Sequence, residues 1–473
     1  MAQTTTPQRL AAASERIGGP AGVLTDDQVR AFVQEQLAGA DLDGRSVCVL
    51  VPDGTRSCPT PLLLGAVHEA LHGRVSRLTV LVALGTHSKM GETELSRHLG
   101  YPAGGFAERY PDATVLNHEW WDPHTFASVG TIGADRIAEL SEGRFHQAVE
   151  VRLNRAVVEH DVTLVVGPVF PHEVVGFSGG NKYFFPGVSS QEVINVSHWL
   201  GALITSASII GTRGTTPVRA LIDEAVALVP GDKLAFCVVV KSGSRALHSV
   251  AFGDPAAAWA AAADVAAEAH VRYLDAPVRR VLSMIPGMYH DIWTAAKGFY
   301  KVEPVVADGG QVVLYAPHVA EISSTHPEIN EIGYHCRDYF VKQWDRFRVV
   351  PWGVLAHSTH LRGAGTYDET TGEERLRVTV TLATGIPQDR VRRVNLDYLD
   401  PAEVDPGAWA ADPDTMVVPH AGEDLFRLRA GDQRHQRPPA TAGRLHHTRR
   451  VTSHPVDGHG GTPDASPTGH GHP

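Results

Sequence analysis

The sequence predicts an α/β protein made of two α/β domains with mostly parallel sheets. Short, continuous apolar segments alternate with helical segments along the 473 residues. This pattern is typical of parallel strands covered by helices on both faces. The chain is too long for one ordinary hydrophobic core, so two or three domains are expected. Polar motifs follow several apolar segments, and open α/β sheets bind ligands where their strands end.

The first α/β unit is predicted from residue 26 onward. A helix over 26–37 would have Thr25 as its N-cap. A further helix and three strands follow, at 61–72 and at 46–51, 78–84 and 162–166. Each of the three strands leads directly into a polar or glycine-containing motif.

The second unit is predicted beyond an Ala-rich helix over 256–270, after a hinge near 271–277. Its strands are expected at 278–285, 311–315 and 378–382. The predicted division is a flexible lead over 1–25, a first domain over 26–270, a second domain over 271–430 and a tail over 431–473.

The tail is rich in Pro, Gly, Thr and His and has almost no large apolar residues. It cannot bury enough surface to fold, so it is predicted to be disordered. Because seven of the chain's 26 histidines fall in it, a metal-binding tail and a merely solvated tail both stay open.

Charge and cysteine content restrict the function classes. The net charge of −11 argues against binding nucleic acid or an anionic membrane through bulk charge. Four scattered cysteines without a CxxC pair indicate a reducing compartment. No apolar segment resembles a signal peptide or a membrane span. We therefore expect a cytoplasmic protein that acts on a small molecule.

The most specific motif covers residues 171–198. Three glycines at 176, 179 and 180 permit close backbone approach, and Lys182 follows them. The spacing is not that of a nucleoside triphosphate loop. His172 precedes the glycines, and His198 follows on a predicted helix. Metal binding and acid/base chemistry are equally open from these residues alone.

Three shorter motifs carry weaker signals. In Asp53-Gly54-Thr55-Arg56, the arginine suits bidentate capture of a carboxylate, although an Asp–Arg ion pair holding the turn explains it as well. His87 of a Gly-Thr-His turn is either an acid/base or a structural histidine. Lys297 alone would be a solvated lysine.

Taken together and in this order, the four motifs resemble the nickel-dependent lactate racemase family. That family shows D-x-T-R-P-x-P, then G-T-H, then a histidine before G-F-S-G-G-x-K and P-G, then a further histidine and a late lysine. The resemblance covers residues 40–425. It implies two α/β domains with the active site in the cleft between them.

The resemblance also implies a cofactor, a nickel-pincer nucleotide. This is a pyridinium mononucleotide with two sulfur arms and a nickel ion. Lys182 would be joined to it through a thioamide, and His198 would be the protein's ligand to nickel. The other residues that the resemblance assigns to cofactor binding are Asp53, Thr55, Gly176, Ser178, Gly179 and Gly180.

The implied reaction is racemisation or epimerisation at C2 of a 2-hydroxy acid by hydride transfer. His87 and His172 would be the acid/bases, Arg56 would hold the substrate carboxylate, and Lys297 would assist from the second domain. Maturation would require cofactor-synthesis proteins as partners. Two alternatives use the same histidines: a zinc- or magnesium-dependent hydrolase or lyase, and a non-catalytic cofactor-binding or sensor protein.

The chain departs from the family pattern at several positions, including Ser57, the segment 88–90, the pair 184–185 and Trp199. We expect these changes to lie in the pocket walls and to alter the substrate. A bulkier or more polar acid than lactate, such as a sugar acid, is the expectation. The sequence leaves open which acid is used, the oligomeric state and the extent of domain closure.

Overall fold

Two parallel sheets organise the chain in the computed structural model, which describes residues 14–429. We call residues 14–270, built around the larger sheet, the first lobe. Residues 271–429, built around the smaller sheet, are the second lobe. The predicted disordered tail over 431–473 lies outside the described residues.

The first lobe contains a seven-stranded sheet and two small ribbons. Its strands are β1 (Glu15–Gly18), β2 (Ser46–Pro52), β3 (Arg77–Ala83), β4 (Ala113–Asn117), β5 (Phe126–Ile132), β6 (Val149–Asn154), β7 (Val162–Pro168), β8 (Pro171–His172), β9 (Gly176–Phe177), β10 (Asp232–Val240) and β11 (Leu247–Gly253). The sheet order is β1-β11-β10-β7-β2-β3-β4. The strands from β10 to β4 are parallel, and β11 is antiparallel to its two neighbours.

The helices of the first lobe cover the faces of this sheet. They are α1 (Asp26–Ala38), α2 (Thr60–Leu71), α3 (Glu92–Leu99), α4 (Phe106–Arg109), α5 (Ala134–Leu140), α6 (Arg155–Val158), α7 (Gln191–Ile204), α8 (Ser206–Ile209), α9 (Pro217–Ala227) and α10 (Pro255–His270), with short 3₁₀ turns at Pro123–Thr125 and Gly180–Tyr183. The predicted N-cap of α1 is confirmed. Thr25 Oγ1 accepts from Gln28 N (3.2 Å), and Gln28 Oε1 accepts in return from Thr25 N (2.9 Å).

The second lobe contains a five-stranded, wholly parallel sheet in the order β18-β17-β14-β13-β19. Its strands are β12 (Val271–Leu274), β13 (Val278–Met284), β14 (Val306–Ala316), β15 (Gly365–Asp368), β16 (Glu373–Leu376), β17 (Val378–Thr384), β18 (Asp397–Tyr398), β19 (Thr415–Val418) and β20 (Leu425–Leu428). Its helices are α11 (Ile292–Ala295), α12 (Lys297–Tyr300), α13 (Ile329–Ile332), α14 (Arg337–Lys342), α15 (Trp344–Phe347), α16 (Trp352–Arg362), α17 (Gln388–Arg393) and α18 (Pro406–Ala410), with 3₁₀ turns at Glu303–Val305 and Pro401–Glu403.

The mixed α/β fold with mostly parallel sheets is confirmed. All described residues fall in one compact unit, and the predicted boundary between 270 and 271 stays a prediction. Within the predicted flexible lead, residues 15–18 are instead the edge strand β1, which pairs antiparallel with β11. The sequence hides this strand because it is short and mostly exposed, and its partner lies more than 200 residues away. Among the described helices, none has the length and apolarity needed to cross a bilayer.

The order of the central strands positions the site. β7, β2 and β3 are neighbours, and Pro52 at the end of β2 pairs with Ala83 at the end of β3. The segments that follow these three strands therefore emerge at one edge of the sheet, as expected for an open α/β sheet.

Candidate active site

A cavity of about 380 Å³ lies at this edge, with walls from both lobes. Of the predicted site residues, all except Thr55, Gly176 and Gly180 line it. The first lobe contributes Asp53, Arg56, His87, His172, Ser178, Gly179, Lys182 and His198. The second lobe contributes Lys297, together with Trp293, His326, His357 and His360. A cleft between two α/β lobes is thus where most of the predicted residues meet.

Asp53 and His87 form a hydrogen-bonded pair at the ends of β2 and β3. Asp53 Oδ2 contacts His87 Nδ1, and Oδ1 accepts from Thr55 N (3.0 Å) and Thr55 Oγ1 (2.7 Å). Burial alone would raise the pKa of Asp53, but the His87 ring and the Arg56 guanidinium hold that pKa well below its usual range. Asp53 is therefore a carboxylate that orients the His87 ring through Nδ1 and leaves Nε2 as the ring nitrogen without this bond. The resemblance had assigned Asp53 to the cofactor.

Arg56 is held by its own turn. Its Nη1 donates to Thr55 O (3.2 Å) and Thr55 Oγ1 (3.3 Å). It lines the main cavity and also a smaller cavity beside it, which Thr55 lines too. The Thr55 hydroxyl already donates to Asp53, so a role for Thr55 as a phosphate donor has no support in these contacts.

His172 is buried, and its Nδ1 lies near one hydrogen-bond donor and one acceptor. Val174 N donates to Nδ1 (3.1 Å), and Glu173 Oε2 lies 3.3 Å from the same nitrogen. In one neutral tautomer Nδ1 accepts from Val174 N, and in the other it carries the proton and donates to Glu173 Oε2. Burial, followed by the charges of Lys182 and Arg56, lowers the pKa of His172 well below its usual value. The ring is thus a neutral imidazole at pH 7.

Two glycines of the loop allow it to pack closely against neighbouring protein atoms. Gly176 and Gly180 have φ of +83° and +57°. A Cβ at Gly176 would lie 2.3 Å from Thr212 O, and one at Gly180 would lie 2.7 Å from Trp259 Cβ. Side chains are excluded at both positions by neighbouring protein atoms and by backbone conformation. Neither residue lines the cavity.

Ser178 and Gly179 do face the cavity. Ser178 Oγ accepts from Phe170 N (2.9 Å) and donates to Pro168 O (3.3 Å). These bonds pin the loop to the end of β7 and bring the loop backbone to the cavity wall.

Lys182 projects into the cavity from the 3₁₀ turn Gly180–Tyr183. Among the described residues, its Nζ has no hydrogen-bond or ion-pair partner. Burial, and next the Arg56 charge, lower the pKa of Lys182 to about 7. A substantial fraction of this amine is therefore neutral and nucleophilic near pH 7.

His198 lies on α7 with its ring fixed by the helix. Its Nδ1 lies 2.9 Å from Ile194 O, a carbonyl that can only accept. The proton is therefore on Nδ1, and the Nε2 lone pair is free to bind a metal ion. Burial and then the Lys182 charge lower the pKa of His198 to about 4.

Lys297 is at the start of α12, between the two cavities. Its buried Nζ has no hydrogen-bond partner and lies 4.7 Å from the centre of the Tyr289 ring. Burial first, and Arg56 next, lower its pKa well below the usual value. Lys297 is thus a buried amine without an acceptor, not the solvated lysine that its sequence context alone suggests.

Two charged residues that the sequence analysis did not predict, Lys301 and Glu423, line the smaller cavity, and Glu423 links the two lobes. Lys301 Nζ donates to Gly422 O (2.5 Å) and Glu423 O (3.0 Å). Glu423 Oε2 accepts from Gly243 N (2.8 Å), and its Oε1 accepts from Ser57. Ser57 thus contacts the second lobe.

The second-lobe wall of the main cavity is aromatic and imidazole-rich. Trp293 stacks on His357 with centroids 3.8 Å apart, and His357 Nε2 lies 2.9 Å from Trp293 O. Buried polar atoms on this wall without a hydrogen-bond partner in the described structure are His357 Nδ1, His360 Nε2 and Glu328 Oε2. Burial lowers the pKa values of His357 and His360 to about 3 and about 4. No motif in the sequence marks these residues.

The departures from the family pattern lie elsewhere than predicted. Phe184 and Phe185 are fully buried in the core of the first lobe. Trp199 stacks on Trp344 in a separate apolar cluster, and residues 88–90 do not line the main cavity. The expectation that these changes form pocket walls is wrong for the main cavity. Phe184, Phe185 and Trp199 pack in apolar layers behind it, and Ser88 and Lys89 are exposed. Ser57 does line the smaller cavity.

Comparison with known proteins gives a consistent result. The family model described as the lactate racemase N-terminal domain matches residues 31–211. A lactate racemase from Lactiplantibacillus plantarum is 24% identical over 278 residues, which cover 57% of this chain and 60% of that protein. A lactate racemase from Thermoanaerobacterium thermosaccharolyticum is 21% identical over 281 residues, covering 58% and 60%. The matched segment thus spans less than two thirds of the length of these relatives.

Solved structures extend the similarity across both lobes. A crystal structure of a protein from Thermotoga maritima matches with a TM-score of 0.79 at 31% identity, covering 87% of this chain and 100% of that one. The lactate racemase apoprotein from T. thermosaccharolyticum matches with a TM-score of 0.62 at 18% identity and the same coverages, a likeness of fold. Residues 31–211 thus match a lactate racemase N-terminal domain, and the similarity of fold extends across both lobes.

Proposed function

We propose that this protein is an isomerase that racemises or epimerises a 2-hydroxy acid at C2, using a nickel-pincer nucleotide attached to Lys182. The observation that carries the proposal is the grouping of Lys182, His198, His172 and the Asp53–His87 pair around one cavity. When bound, the cofactor would supply the hydride acceptor and donor for C2.

The side chains present fit such a group. The Lys182 amine is partly neutral near pH 7 and faces the cavity. Condensation of such an amine with a thiocarboxylate, with loss of water, would give the thioamide. His198 offers Nε2 as one imidazole ligand. Within residues 14–429, no cluster of three or more His, Cys, Asp or Glu side chains is arranged to hold a metal ion. His198 would hold a nickel ion through Nε2, and the nucleotide would have to supply the remaining ligands.

The two histidines would move the hydroxyl proton. A racemase must remove this proton from one enantiomer and return one for the other, which requires two acid/bases. The hydrogen bond to Asp53 Oδ2 orients the His87 ring through Nδ1 and leaves Nε2 as the nitrogen that would exchange the proton. His172 is neutral and buried, which favours it as the base. As a base at Nε2, its ring would carry a proton on Nδ1, for which Glu173 Oε2 is the nearby acceptor.

Two cations would fix the substrate carboxylate. The Arg56 guanidinium and the unpartnered Lys297 Nζ approach the cavity from different lobes. A carboxylate held between them would offer the partner that Lys297 lacks in the described structure. Holding that end of the substrate still keeps C2 in place while its geometry changes.

The second-lobe wall favours a substrate with polar groups beyond C2. His357 Nδ1, His360 Nε2 and Glu328 Oε2 are buried without partners, and each such group costs about 1–3 kcal/mol. Hydroxyl groups on a longer acid could satisfy them, whereas the methyl group of lactate could not. We therefore propose a hydroxylated acid longer than lactate, with lactate as the poorer substrate.

The first test is intact-protein mass spectrometry with nickel analysis, on protein co-produced with a cofactor-synthesis system. We expect a mass increment that maps to Lys182, close to one nickel per chain, and isomerisation of at least one 2-hydroxy acid. Lys182→Arg keeps the charge but cannot form the thioamide, and is the matched control. A folded wild-type protein with neither adduct nor nickel would favour the non-catalytic binding protein instead.

A further inference from the structure

The turn that carries His87 touches the second lobe on both sides of that residue. Thr86 Oγ1 lies 2.9 Å from His326 Nε2, and Ser88 Oγ lies 3.4 Å from Ser324 Oγ. Ser324 and His326 belong to the loop that precedes α13. The position of His87 is therefore linked to the second lobe through its chain neighbours.

Four rings extend this link across the cavity. The His326 ring lies between Trp120, with centroids 5.8 Å apart and planes at 24°, and Trp293, at 4.0 Å and 31°. Trp293 in turn stacks on His357. Trp120 Nε1 donates to His87 O (2.9 Å). One end of the stack thus holds the His87 backbone, and the other end belongs to the second-lobe wall.

The loop that carries His326 is anchored within its own lobe. Asp291 Oδ2 accepts from Ser324 N (3.0 Å) and Ser324 Oγ (2.9 Å), while Oδ1 accepts from Thr294 N (3.0 Å). His326 N donates to Ser323 Oγ (3.0 Å). The loop backbone that carries the His326 ring is therefore anchored within the second lobe.

We propose that His326 is a positioning residue that fixes the turn carrying His87, through its hydrogen bond to Thr86 and its stacking against Trp120. This rests on the proposed function, in which His87 is an acid/base. Joining the lobes would then complete the acid/base geometry. Burial, and next the His87 charge, lower the pKa of His326 to about 4. The His326 ring is thus neutral at pH 7.

The variants isolate one hydrogen bond. Thr86→Val removes the hydroxyl with little change of shape, Thr86→Ser keeps it, and His326→Ala removes the ring. The matched control is Thr79→Val. Thr79 lies near the start of β3, the strand that leads into the turn with Thr86, and its Oγ1 lies 3.0 Å from His160 Nε2 in a buried pair of the same kind.

The first measurement needs no cofactor. In full-length protein with ¹⁵N-labelled histidine, the His87 ring signals are identified by their loss in His87→Ala. We expect Thr86→Val and His326→Ala to shift or broaden these signals, while Thr86→Ser and Thr79→Val leave them unchanged. Unchanged His87 signals in both Thr86→Val and His326→Ala would overturn the proposal.

The second measurement uses cofactor-loaded protein. A small displacement of a catalytic group lowers turnover strongly, so we expect kcat to fall about tenfold or more in Thr86→Val and His326→Ala. KM should change by less than about threefold, because ground-state binding is kept. The double variant should be no worse than the worse single variant, since both remove one interaction; fully additive losses would contradict the proposal. If the wild type isomerises no 2-hydroxy acid, the proposed function is wrong. The histidine spectra still test separately whether His326 positions the turn that carries His87.

Discussion

The two walls of the cavity differ in how their polar groups are satisfied. In the first-lobe wall, Asp53, His87 and His198 have partners within that lobe, and the exception among the described residues is Lys182, the proposed attachment point of the cofactor. In the second-lobe wall, His357 and His360 have buried nitrogen atoms without partners. A wall whose groups are oriented before any ligand arrives suits chemistry, whereas a wall with unmet hydrogen-bonding capacity suits recognition of a ligand. We infer that the first lobe carries the proton transfer and the second lobe the substrate selection.

The largest expected effect tests the first-lobe wall. His87→Gln and His172→Gln should each lower kcat by about 10²–10⁴-fold, the usual contribution of a positioned acid/base. Racemisation rates should be measured from both enantiomers, with nickel content as a control for cofactor retention. His360→Leu, on the opposite wall, should lose much less. Equal losses on both walls would break the distinction between them.

The next effect concerns the reactivity of Lys182. Its neutral amine is the reactive form, and a pKa lowered to about 7 moves the midpoint of reactivity down from the ordinary lysine value of about 10.4. Acetic anhydride labelling of cofactor-free protein should therefore be half-maximal near pH 7 and level off about one pH unit above it. At pH 7 the neutral fraction of this amine should exceed that of an ordinary lysine by roughly 10³-fold.

Arg56→Met provides the control for this labelling experiment. Arg56 is the main charge that lowers the pKa of Lys182 after burial, so its removal should move the midpoint upward. Peptide mass spectrometry resolves Lys182 from the other lysines. A wild-type midpoint near 10 would show that the amine is not activated.

The same contrast explains what the sequence could predict. β2, β3 and β7 are continuous apolar segments with polar motifs directly after them, so their fold and the grouping of Arg56, His87 and Lys182 follow from local pattern and parallel-sheet geometry. The mostly parallel α/β fold was predictable for that reason. β1 was not, since a short, mostly exposed strand depends on a distant partner.

The second-lobe wall was not predictable from local sequence. His357 and His360 lie on α16 at a spacing that equally suits an ordinary buried helix face, and His326 lies in a loop without a motif. Their position in the cavity depends on how the second lobe packs, which no local pattern encodes. For the same reason, neither motif alone predicts the hydrogen bond between Asp53 and His87, which follow two different strands.

A smaller effect tests the second-lobe wall. Replacing His360 by leucine removes a buried nitrogen without a partner, so the free energy of unfolding should rise by about 1 kcal/mol. The kcat/KM for a hydroxylated acid should fall about tenfold, the value of one lost hydrogen bond.

His118→Leu is the matched control, because His118 Nε2 lies 3.2 Å from Ser189 O and its Nδ1 lies 3.2 Å from Asn154 Nδ2. It should destabilise the protein by about 1–3 kcal/mol. If His360→Leu destabilises as much as His118→Leu, His360 is satisfied in solution and the wall is not poised for a ligand.

The last effect, on stability alone, concerns a contact that joins the two lobes away from the main cavity. Ser57 Oγ donates to Glu423 Oε1, and Glu423 is buried. Ser57→Ala removes this donor and leaves the carboxylate with Gly243 N, so the free energy of unfolding should fall by about 1–2 kcal/mol. Denaturant unfolding at constant m-value measures this change.

The control is Ser128→Ala, at an exposed position of β5, which should stay within about 0.5 kcal/mol of the wild type. If Ser57→Ala unfolds like Ser128→Ala, Glu423 finds water in place of Ser57. The lobes would then be held together at the main cavity, where His326 meets Thr86, more than at the charged groups behind it.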